Sequence, residues 1–267
     1  MKKDKNFIIS IDQGTTSSRA ILFDLKGQPI YSSQKEFTQY FPKSGWVEHD
    51  PEEIWSTTKK TLSDVVNKSK KIKGKILTIG ITNQRETTVL WNKKTGKPVY
   101  NAIVWQDRRQ EEFCKKLRKQ NKETLIFNRT GLLIDSYFSG TKIKWILDNV
   151  PLAKKLMKKK QLLFGTIDSF LIWRLTKGKI HATDATNASR TMIYNITSNK
   201  WDETILKILK IDKNILPTVK DCADNYGLTH PSITGKPISI TGVVGDQQSA
   251  SIGQCCFEPG SLKSTYG

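Results

Sequence analysis

The order of its strand and helix patterns is the feature that most constrains how this chain folds. The first part of the chain alternates short β-rich runs with turn-forming residues, which predicts two consecutive hairpins. The three runs are residues 7–11, 19–25 and 29–33. Three strands joined in this way form an antiparallel meander, and the next elements decide which fold class it belongs to.

A helix and a buried strand follow the meander. Asp50 and Pro51 supply an N-cap and a proline at the first helical position, and apolar residues then recur at helical spacing. Residues 76–81 form a near-continuous apolar run, which is typical of a strand buried on both faces. Because a helix followed by a buried strand indicates a crossover connection, the sequence predicts an α/β domain with a mixed central sheet and helices on both faces.

Further patterns extend the sheet and its helical layers. The additional predicted strands are residues 87–91, 99–105, 237–244 and 261–267. The additional predicted helices are residues 109–120, 141–149, 167–175 and 203–210. The small elements between about residue 165 and residue 221 are expected to decorate the core rather than to form an independent domain.

The composition excludes several classes of protein. The chain has 267 residues, of which 37% are hydrophobic and 24 are aromatic, so it can build a core and is not globally disordered. Its apolar runs are shorter than the roughly 20 residues of a membrane-spanning helix, and no hydrophobic signal segment follows the start. Four cysteines without metal-site spacing predict reduced thiols, and we expect a cytoplasmic protein.

The formal charge of +19 raises the question of a nucleic-acid partner. Of the 44 basic residues, 36 are lysines and only 8 are arginines, and the lysines are scattered over predicted helix faces. Base recognition favours arginine, which can bind a base edge with two hydrogen bonds. The pattern therefore predicts a solvated, lysine-rich surface without a specific nucleic-acid partner.

The first predicted turn carries the groups that a phosphate needs. Asp12 ends the first strand, and Gly14 allows a tight turn. Three hydroxyl residues come next: Thr15, Thr16 and Ser17. A carboxylate, hydroxyls and backbone N–H groups within one loop suit a phosphate and its magnesium ion. On the turn alone, an ordinary Asx-type hairpin turn accounts for the same residues.

Two other predicted strand ends carry charged residues. Arg85 and Glu86 follow the apolar strand, where ligands of open α/β sheets bind, and a donor beside an acceptor suits a polyol. Asp246 follows the strand at residues 237–244, where it could serve as the general base for a hydroxyl. A hairpin-tip ion pair remains the alternative for the first pair, and a simple helix N-cap remains the alternative for Asp246.

Taken together, seven segments resemble the glycerol kinases of the FGGY carbohydrate-kinase family, whose ribonuclease-H-like fold is shared with actin and hexokinase. The segments are residues 12–19, 45–51, 80–87, 101–106, 137–142, 186–191 and 245–248. The resemblance runs over essentially the whole chain. Its most specific part is the run from Asn83 to Glu86, because sugar kinases of the same family carry other residues at that strand end.

The resemblance implies ATP-dependent phosphorylation of glycerol to sn-glycerol 3-phosphate, with ATP and Mg²⁺ as cofactors. The implied glycerol-binding residues are Arg85, Glu86, Trp105, Tyr137, Asp246 and Gln247. The residues implied to bind the nucleotide phosphates are Thr15, Thr16, Ser17 and Arg19. Asp12 and Asp246 would hold the magnesium ion, and Asp246 would also be the catalytic base.

Members of the family are close to twice this length. The resemblance therefore implies an N-terminal, glycerol-binding domain at residues 1–254 and the start of a C-terminal domain at residues 255–267. A homo-oligomer is expected of the full-length enzyme. Two alternatives stay open: a non-catalytic or inactive fragment that keeps the fold and the glycerol pocket, and a kinase of another polyol or sugar.

Overall fold

The structure, a computed structural model, describes residues 5–265. The strands are β1 (Lys5–Gln13), β2 (Ser17–Asp24), β3 (Pro29–Glu36), β4 (Glu48–His49), β5 (Gly74–Asn83), β6 (Val89–Asn92), β7 (Ala102–Ile103), β8 (Leu162–Gly165), β9 (Ala182–Asp184), β10 (Tyr194–Asn195), β11 (Lys200–Trp201), β12 (Thr218–Lys220) and β13 (Ser239–Gly245). The helices are α1 (Pro51–Lys71), α2 (Glu111–Lys119), α3 (Glu123–Thr130), α4 (Ser139–Asn149), α5 (Pro151–Lys158), α6 (Ile167–Leu175), α7 (Ala185–Ala188), α8 (Glu203–Leu209), α9 (Pro231–Thr234) and α10 (Asp246–Gly253). A 3₁₀ turn lies at Lys213–Ile215.

The largest sheet among the described residues has five strands in the order β13-β5-β1-β2-β3. The first three strands of the chain pair antiparallel, as two hairpins. Strand β5 pairs parallel with β1 on one side and with β13 on the other. The mixed central sheet predicted from the sequence is therefore confirmed.

Helices pack on both faces of this sheet, as predicted. Alternate residues of a strand point to opposite faces, and Ile9 and Ile79 are fully buried in one hydrophobic cluster with α1 and α6. Thr82 lies on the other face, where its hydroxyl is 2.8 Å from the hydroxyl of Ser249 in α10. Helices α1 and α6 cover one face, and α10 covers the end of the other.

Helix α1 begins where the sequence predicts. The Asp50 side chain accepts a hydrogen bond of 2.8 Å from the backbone N–H of Glu52, and Pro51 is the first helical residue. Both features satisfy or avoid an unpaired N–H group in the first turn. Along the helix, Ile54 and Leu62 are fully buried against the sheet, which is the amphipathic packing that the apolar spacing predicts.

A second hydrophobic cluster lies beyond the two-stranded sheet formed by β6 and β8. Trp91 and Leu163 point into the cluster of the central sheet, whereas their neighbours Leu90 and Phe164 point into the second cluster. The second cluster also contains buried residues of α2 to α5 and α8. Residues 165–221 contribute to both clusters, through α6 in the first and α8 in the second.

The structure corrects two of the strand predictions. The run at residues 99–105 shortens to Ala102–Ile103, because the chain turns next, where the backbone N–H of Asp107 bonds the carbonyl of Val104 at 3.0 Å. Residues 261–265 form no strand, since no neighbouring strand of the described chain pairs with them. The remaining residues of that predicted strand, 266 and 267, lie outside the described residues. No helix within residues 5–265 is both long and apolar enough to cross a membrane.

Candidate active site

The ends of three parallel strands bring the predicted site segments together. Gln13 of β1 pairs with Asn83 of β5, which pairs with Gly245 of β13, so the three strands end level with one another. Ligands of α/β sheets bind outside the carboxyl ends of parallel strands. The Gly14 turn, the Arg85–Glu86 pair and Asp246 therefore lie along one edge of the sheet, as the resemblance requires.

Arg85 and Asp246 form an ion pair across this edge. The guanidinium Nε lies 2.9 Å from the carboxylate Oδ1, and the Arg85 side chain is only 13% exposed. The same oxygen accepts a hydrogen bond of 2.7 Å from the backbone N–H of Gln247. Asp246 is thus the first residue of α10, and two donors fix its carboxylate in place.

Gly245 makes room for this ion pair. A Cβ atom built on Gly245 would lie 2.6 Å from Cδ and 2.8 Å from Cγ of Arg85, which is closer than atoms can approach. Its backbone, with φ of −60°, suits any residue. A side chain at this position would therefore displace Arg85 without straining the backbone.

Because the resemblance implies that Arg85 binds glycerol, we expect Gly245→Ala, which displaces the Arg85 side chain, to weaken glycerol binding. The Michaelis constant for glycerol should rise about tenfold, which matches the loss of roughly one hydrogen bond to a charged group. Gly253→Ala is the matched control, since Gly253 ends the helix that Gly245 caps and its Cβ would meet no atom within 4 Å. Equal Michaelis constants for the two variants would contradict this account of Gly245.

Glu86 is buried and is held by other parts of the chain. Its side chain is 2% exposed, and its Oε1 lies 2.7 Å from Nε of Arg190. Its backbone has a φ of +60°, which is uncommon outside glycine, and the Ser139 hydroxyl bonds its carbonyl at 2.9 Å. Arg85 and Glu86 thus pair with distant residues instead of with each other, so the hairpin-tip ion pair is not formed.

Two aromatic side chains connect the residues implied to bind glycerol to the Gly14 turn. Trp105 and Tyr137 pack edge to face with their ring centroids 5.7 Å apart. The Trp105 indole N–H donates a hydrogen bond of 3.1 Å to the hydroxyl of Thr15. The guanidinium of Arg190 lies over the Tyr137 ring at 5.7 Å from its centroid. Thr15, Trp105, Tyr137 and Arg190 are therefore joined by a continuous series of contacts.

Lys142, for which the sequence analysis predicts no function, contacts the backbone of this group of residues. The residue is 1% exposed, and its ammonium group donates to the backbone carbonyl of Tyr137 and lies 3.5 Å from that of Glu86. Burial lowers its pKa to about 7, while the charge of Glu86 works in the opposite direction. Lysine is almost never fully buried without partners. The two carbonyls are those partners, and through them Lys142 links Glu86 to Tyr137, two of the residues implied to bind glycerol.

Amide side chains hold the Gly14 turn from below. Gln84 donates to the carbonyl of Gly14 at 3.0 Å, and Gln39 donates to the carbonyl of Thr15, also at 3.0 Å. His49 in turn bonds the Gln39 amide oxygen through its Nε2 at 2.6 Å. Sequence analysis assigns His49 no function, because its partners lie in other segments. The structure shows that it supports the turn.

We expect His49 to make the folded state sensitive to acid. Burial lowers its pKa from 6.5 to about 4, so between these pH values the unfolded chain binds a proton that the folded chain does not. The free energy of unfolding should therefore fall as the pH drops from 6.5 toward 4, by about 3 kcal/mol.

Urea unfolding of the wild type and of His49→Gln across this range measures the effect. The difference between the two proteins should shrink as the pH falls, because the variant has no imidazole to protonate. Other buried groups, such as His181 and Asp168, titrate in both proteins and cancel in the difference. A difference that stays constant with pH would show that His49 is not the acid-sensitive group.

The other residues implied to bind the nucleotide phosphates lie at the outer part of the turn. Gly14 donates its N–H to the carbonyl of Ser17 at 2.9 Å, which closes the turn. Thr16 is exposed, and the hydroxyl of Ser17 accepts a hydrogen bond from Gln34. Arg19 is paired with Asp12 at 2.5 Å. The turn therefore presents hydroxyls and one cation near its surface.

Asp12 and Asp246 fit a magnesium ion only if water or phosphate completes the ligand set. They lie near the ends of β1 and β13, which are two positions apart in the sheet, roughly 10 Å between backbones. Within residues 5–265 no group of three or more metal-binding side chains is found. Magnesium usually keeps several waters and binds through one or two carboxylates and substrate phosphates. The residues present fit that kind of site and not a closed protein cage.

In the structure the Gln247 amide does not contact the other residues implied to bind glycerol. Its Oε1 accepts hydrogen bonds from Lys263 at 2.6 Å and from the hydroxyl of Thr265 at 3.2 Å. Its backbone is adjacent to Asp246, but its side chain is engaged by the last described residues. Two side chains that the sequence did not single out, Arg190 and Lys142, are in closer contact with Glu86. Arg190 lies within one of the seven segments that carry the resemblance, which is the only signal that could have pointed to it.

Comparison with known proteins gives these residues a context. The family profile described as "FGGY family of carbohydrate kinases, N-terminal domain" matches residues 7–253. The chain is 58% identical over 261 residues to the glycerol kinase of Rhizobium meliloti and 59% identical to that of Sinorhizobium fredii. Each match covers 98% of this chain and 52% of the relative, so the chain spans about half the length of the curated relatives it matches.

Solved structures show the same fold. A crystal structure of Plasmodium falciparum glycerol kinase with ADP superposes with a TM-score of 0.94 at 40% identity, covering 99% of this chain and 53% of that one. Gluconate kinase from Lactobacillus acidophilus gives a TM-score of 0.83 at 26% identity, covering 94% and 50%. These neighbours confirm the predicted fold of the actin and hexokinase type. Because the family profile matches residues 7–253, nearly the whole of this chain, the chain belongs to the FGGY family of carbohydrate kinases.

Proposed function

We propose that this chain is the glycerol-binding part of an ATP-dependent glycerol kinase, which forms sn-glycerol 3-phosphate. The observation that carries the proposal is the convergence of Arg85, Glu86, Tyr137 and Asp246 beside the Gly14 turn, to which Trp105 is hydrogen-bonded. The glycerol kinase names of the relatives at 58% and 59% identity support the choice of glycerol. Both ends of such a reaction, the acceptor hydroxyl and the phosphates, then meet at one sheet edge.

The residues at this edge have complementary tasks. Arg85 donates to glycerol hydroxyls and Glu86 accepts from them, while the Trp105 ring packs on the carbon edge of glycerol. Asp246 accepts the proton of the attacking hydroxyl, as a positioned carboxylate can. Phosphoryl transfer depends mainly on positioning and on neutralising charge. A preformed set of fixed side chains suits that requirement.

The Gly14 turn binds the nucleotide phosphates in this proposal. Thr15, Thr16 and Ser17 offer hydroxyl donors, and Arg19 offers a cation. Asp12 and Asp246 would hold a magnesium ion, which would neutralise the charge of the phosphoryl group that ATP supplies. Arg19 now pairs with Asp12, so binding of phosphate requires that these two side chains separate or share the ligand.

We further propose that residues 1–254 form the glycerol-binding domain and that residues 255–267 begin a second domain, which supplies the rest of the nucleotide site. The four cysteines are free, which suits a reducing compartment such as the cytoplasm. The homo-oligomer remains a prediction for the full-length protein.

Two measurements test the proposed function. Isothermal titration of the chain with glycerol should show binding that Arg85→Ala weakens. Formation of glycerol 3-phosphate from ATP, followed by phosphorus NMR, should occur in the full-length protein or when the chain is mixed with a second-domain polypeptide. Glycerol binding without turnover in both cases would favour the non-catalytic module. Faster phosphorylation of gluconate or xylulose than of glycerol would favour another sugar kinase.

A further inference from the structure

The side chain closest to the Glu86 carboxylate belongs to Arg190, a residue that no expectation placed in the site. Its Nε lies 2.7 Å from Oε1 of Glu86, and the two residues are 104 positions apart in the sequence. The Glu86 side chain is 2% exposed and the Arg190 side chain 27% exposed. The pair is thus buried on the carboxylate side and open to solvent on the guanidinium side.

The position of Arg190 is fixed by strand β5 itself. Asn83, the last residue of β5, exchanges two hydrogen bonds of 3.0 and 3.1 Å with the side chain of Asn187. The carbonyl of Asn187 accepts a hydrogen bond of 3.1 Å from the backbone N–H of Arg190. The same strand end therefore places Glu86, three residues after Asn83, and the guanidinium that meets it.

Glu86 needs such a partner because it is buried. Burial raises the pKa of its carboxyl group, and the hydrogen bond from Arg190 is the strongest opposing effect. The charges of Arg85, from the same loop, and of Lys142, from α4, also oppose the rise. Tyr137, the other titratable group beside the pair, has its pKa raised by burial and by the charge of Glu86.

We propose that Arg190 is a positioning residue of the glycerol site: it holds Glu86 as a fixed, charged carboxylate by engaging Oε1, which leaves Oε2 to accept a hydroxyl hydrogen of the substrate. This inference rests on the proposed function, because it deepens the role of Glu86 in binding a polyol. Arg190 acts through Glu86, and its guanidinium also packs over the rings of Tyr137 and Phe138, at 5.7 and 5.0 Å from their centroids. An ionised carboxylate is an acceptor only, whereas a protonated one presents a donor and loses that preference.

The test compares Arg190→Gln, Arg190→Lys and Glu86→Gln in the full-length enzyme. Glycerol KM and kcat are measured from about pH 5 to about pH 9, a range that covers the protonation of a buried carboxyl group. In Arg190→Gln we expect KM to rise by roughly tenfold or more at the acidic end and to return toward the wild-type value at the alkaline end. The sign follows because removal of the arginine raises the pKa of Glu86, so the carboxylate is lost as the pH falls.

The other two variants complete the pattern. Arg190→Lys keeps a positive charge but not the planar fork, so we expect it to restore the acidic-end KM in part. Glu86→Gln should raise KM at every pH, because it has no proton to lose. Lys142 also titrates in this range and its pKa depends on the charge of Glu86, so the carbon NMR titration of Glu86 described below assigns the pH dependence to its group.

Arg129→Gln is the matched control. Arg129 pairs at 2.8 Å with Asp202, whose side chain is 2% exposed, and neither residue belongs to the site. Both arginine variants lose one ion pair to a buried carboxylate, so thermal unfolding should shift to a similar extent. A KM for Arg190→Gln that is independent of pH, or a KM change no larger than that of Arg129→Gln, would overturn the proposal.

A carbon NMR titration of Glu86 separates this proposal from the proposed function. The δ-carbon of labelled Glu86 reports its own protonation without substrate or turnover. We expect its midpoint to move to higher pH in Arg190→Gln, whether or not the wild type phosphorylates glycerol. An unchanged midpoint would refute the role of Arg190 even in an active kinase. A shifted midpoint in a protein that does not bind glycerol would instead refute the proposed function.

Discussion

Asp246→Asn is expected to reduce the turnover number of the full-length enzyme by about a hundred- to ten-thousand-fold, the range typical of a general base. The amide keeps the shape of the carboxylate, and its oxygen can still accept the hydrogen bonds that Arg85 and the N–H of Gln247 donate to Asp246 at 2.9 and 2.7 Å. What the amide cannot do is accept a proton from the attacking hydroxyl. The loss should therefore fall on kcat, with the glycerol KM changed by less than about threefold.

Steady-state kinetics at varied glycerol and saturating ATP measure both constants. Asp64→Asn is a suitable control, since Asp64 is a carboxylate of α1 that is paired with Lys60 and lies outside the site. Turnover by Asp246→Asn at a rate near that of the wild type would mean that Asp246 has only a structural role, at the start of α10. The catalytic assignment would then fail, while the ion pair with Arg85 would remain a structural feature.

The sequence predicts those parts of the fold that local signals determine. Asp50 and Pro51 mark the start of α1, and α6 has the predicted bounds, Ile167–Leu175, because most of its residues are apolar. Strands such as β10 and β11 have two residues each, which is too short for any periodicity to show. They pair with each other across residues 196–199, so the contact is local, but runs of two residues leave no pattern in the sequence.

The site follows the same division. That charged residues would gather at one sheet edge could be predicted, because strand ends in an α/β sheet share that edge. The partners of those residues could not be predicted, since Arg85 meets Asp246 from 161 positions away and Glu86 meets Arg190 from 104. Lys142 is the sharpest case. In the sequence it resembles the many surface lysines, and only the packing of α4 shows that it is buried.

The ion pair between Arg85 and Asp246 changes what the removal of Arg85 should do. If Arg85 served glycerol alone, Arg85→Ala would affect binding only, because its donors hold glycerol equally in the ground state and in the transition state. In the structure the same guanidinium also pairs with the carboxylate of Asp246, the proposed catalytic base. Part of its effect must therefore pass through Asp246.

We expect Arg85→Ala to raise the glycerol KM by roughly ten- to a hundredfold, about 1.4 to 2.7 kcal/mol, as the loss of charged hydrogen bonds to a ligand does. A smaller fall in kcat should accompany it, because Asp246 loses its partner. The double variant with Asp246→Asn tests this link: its kcat should be higher than the two single effects predict, since residues in one ion pair do not act independently. Strict additivity would mean that the pair has no role in turnover. An unchanged KM would mean that Arg85 serves Asp246 and not glycerol.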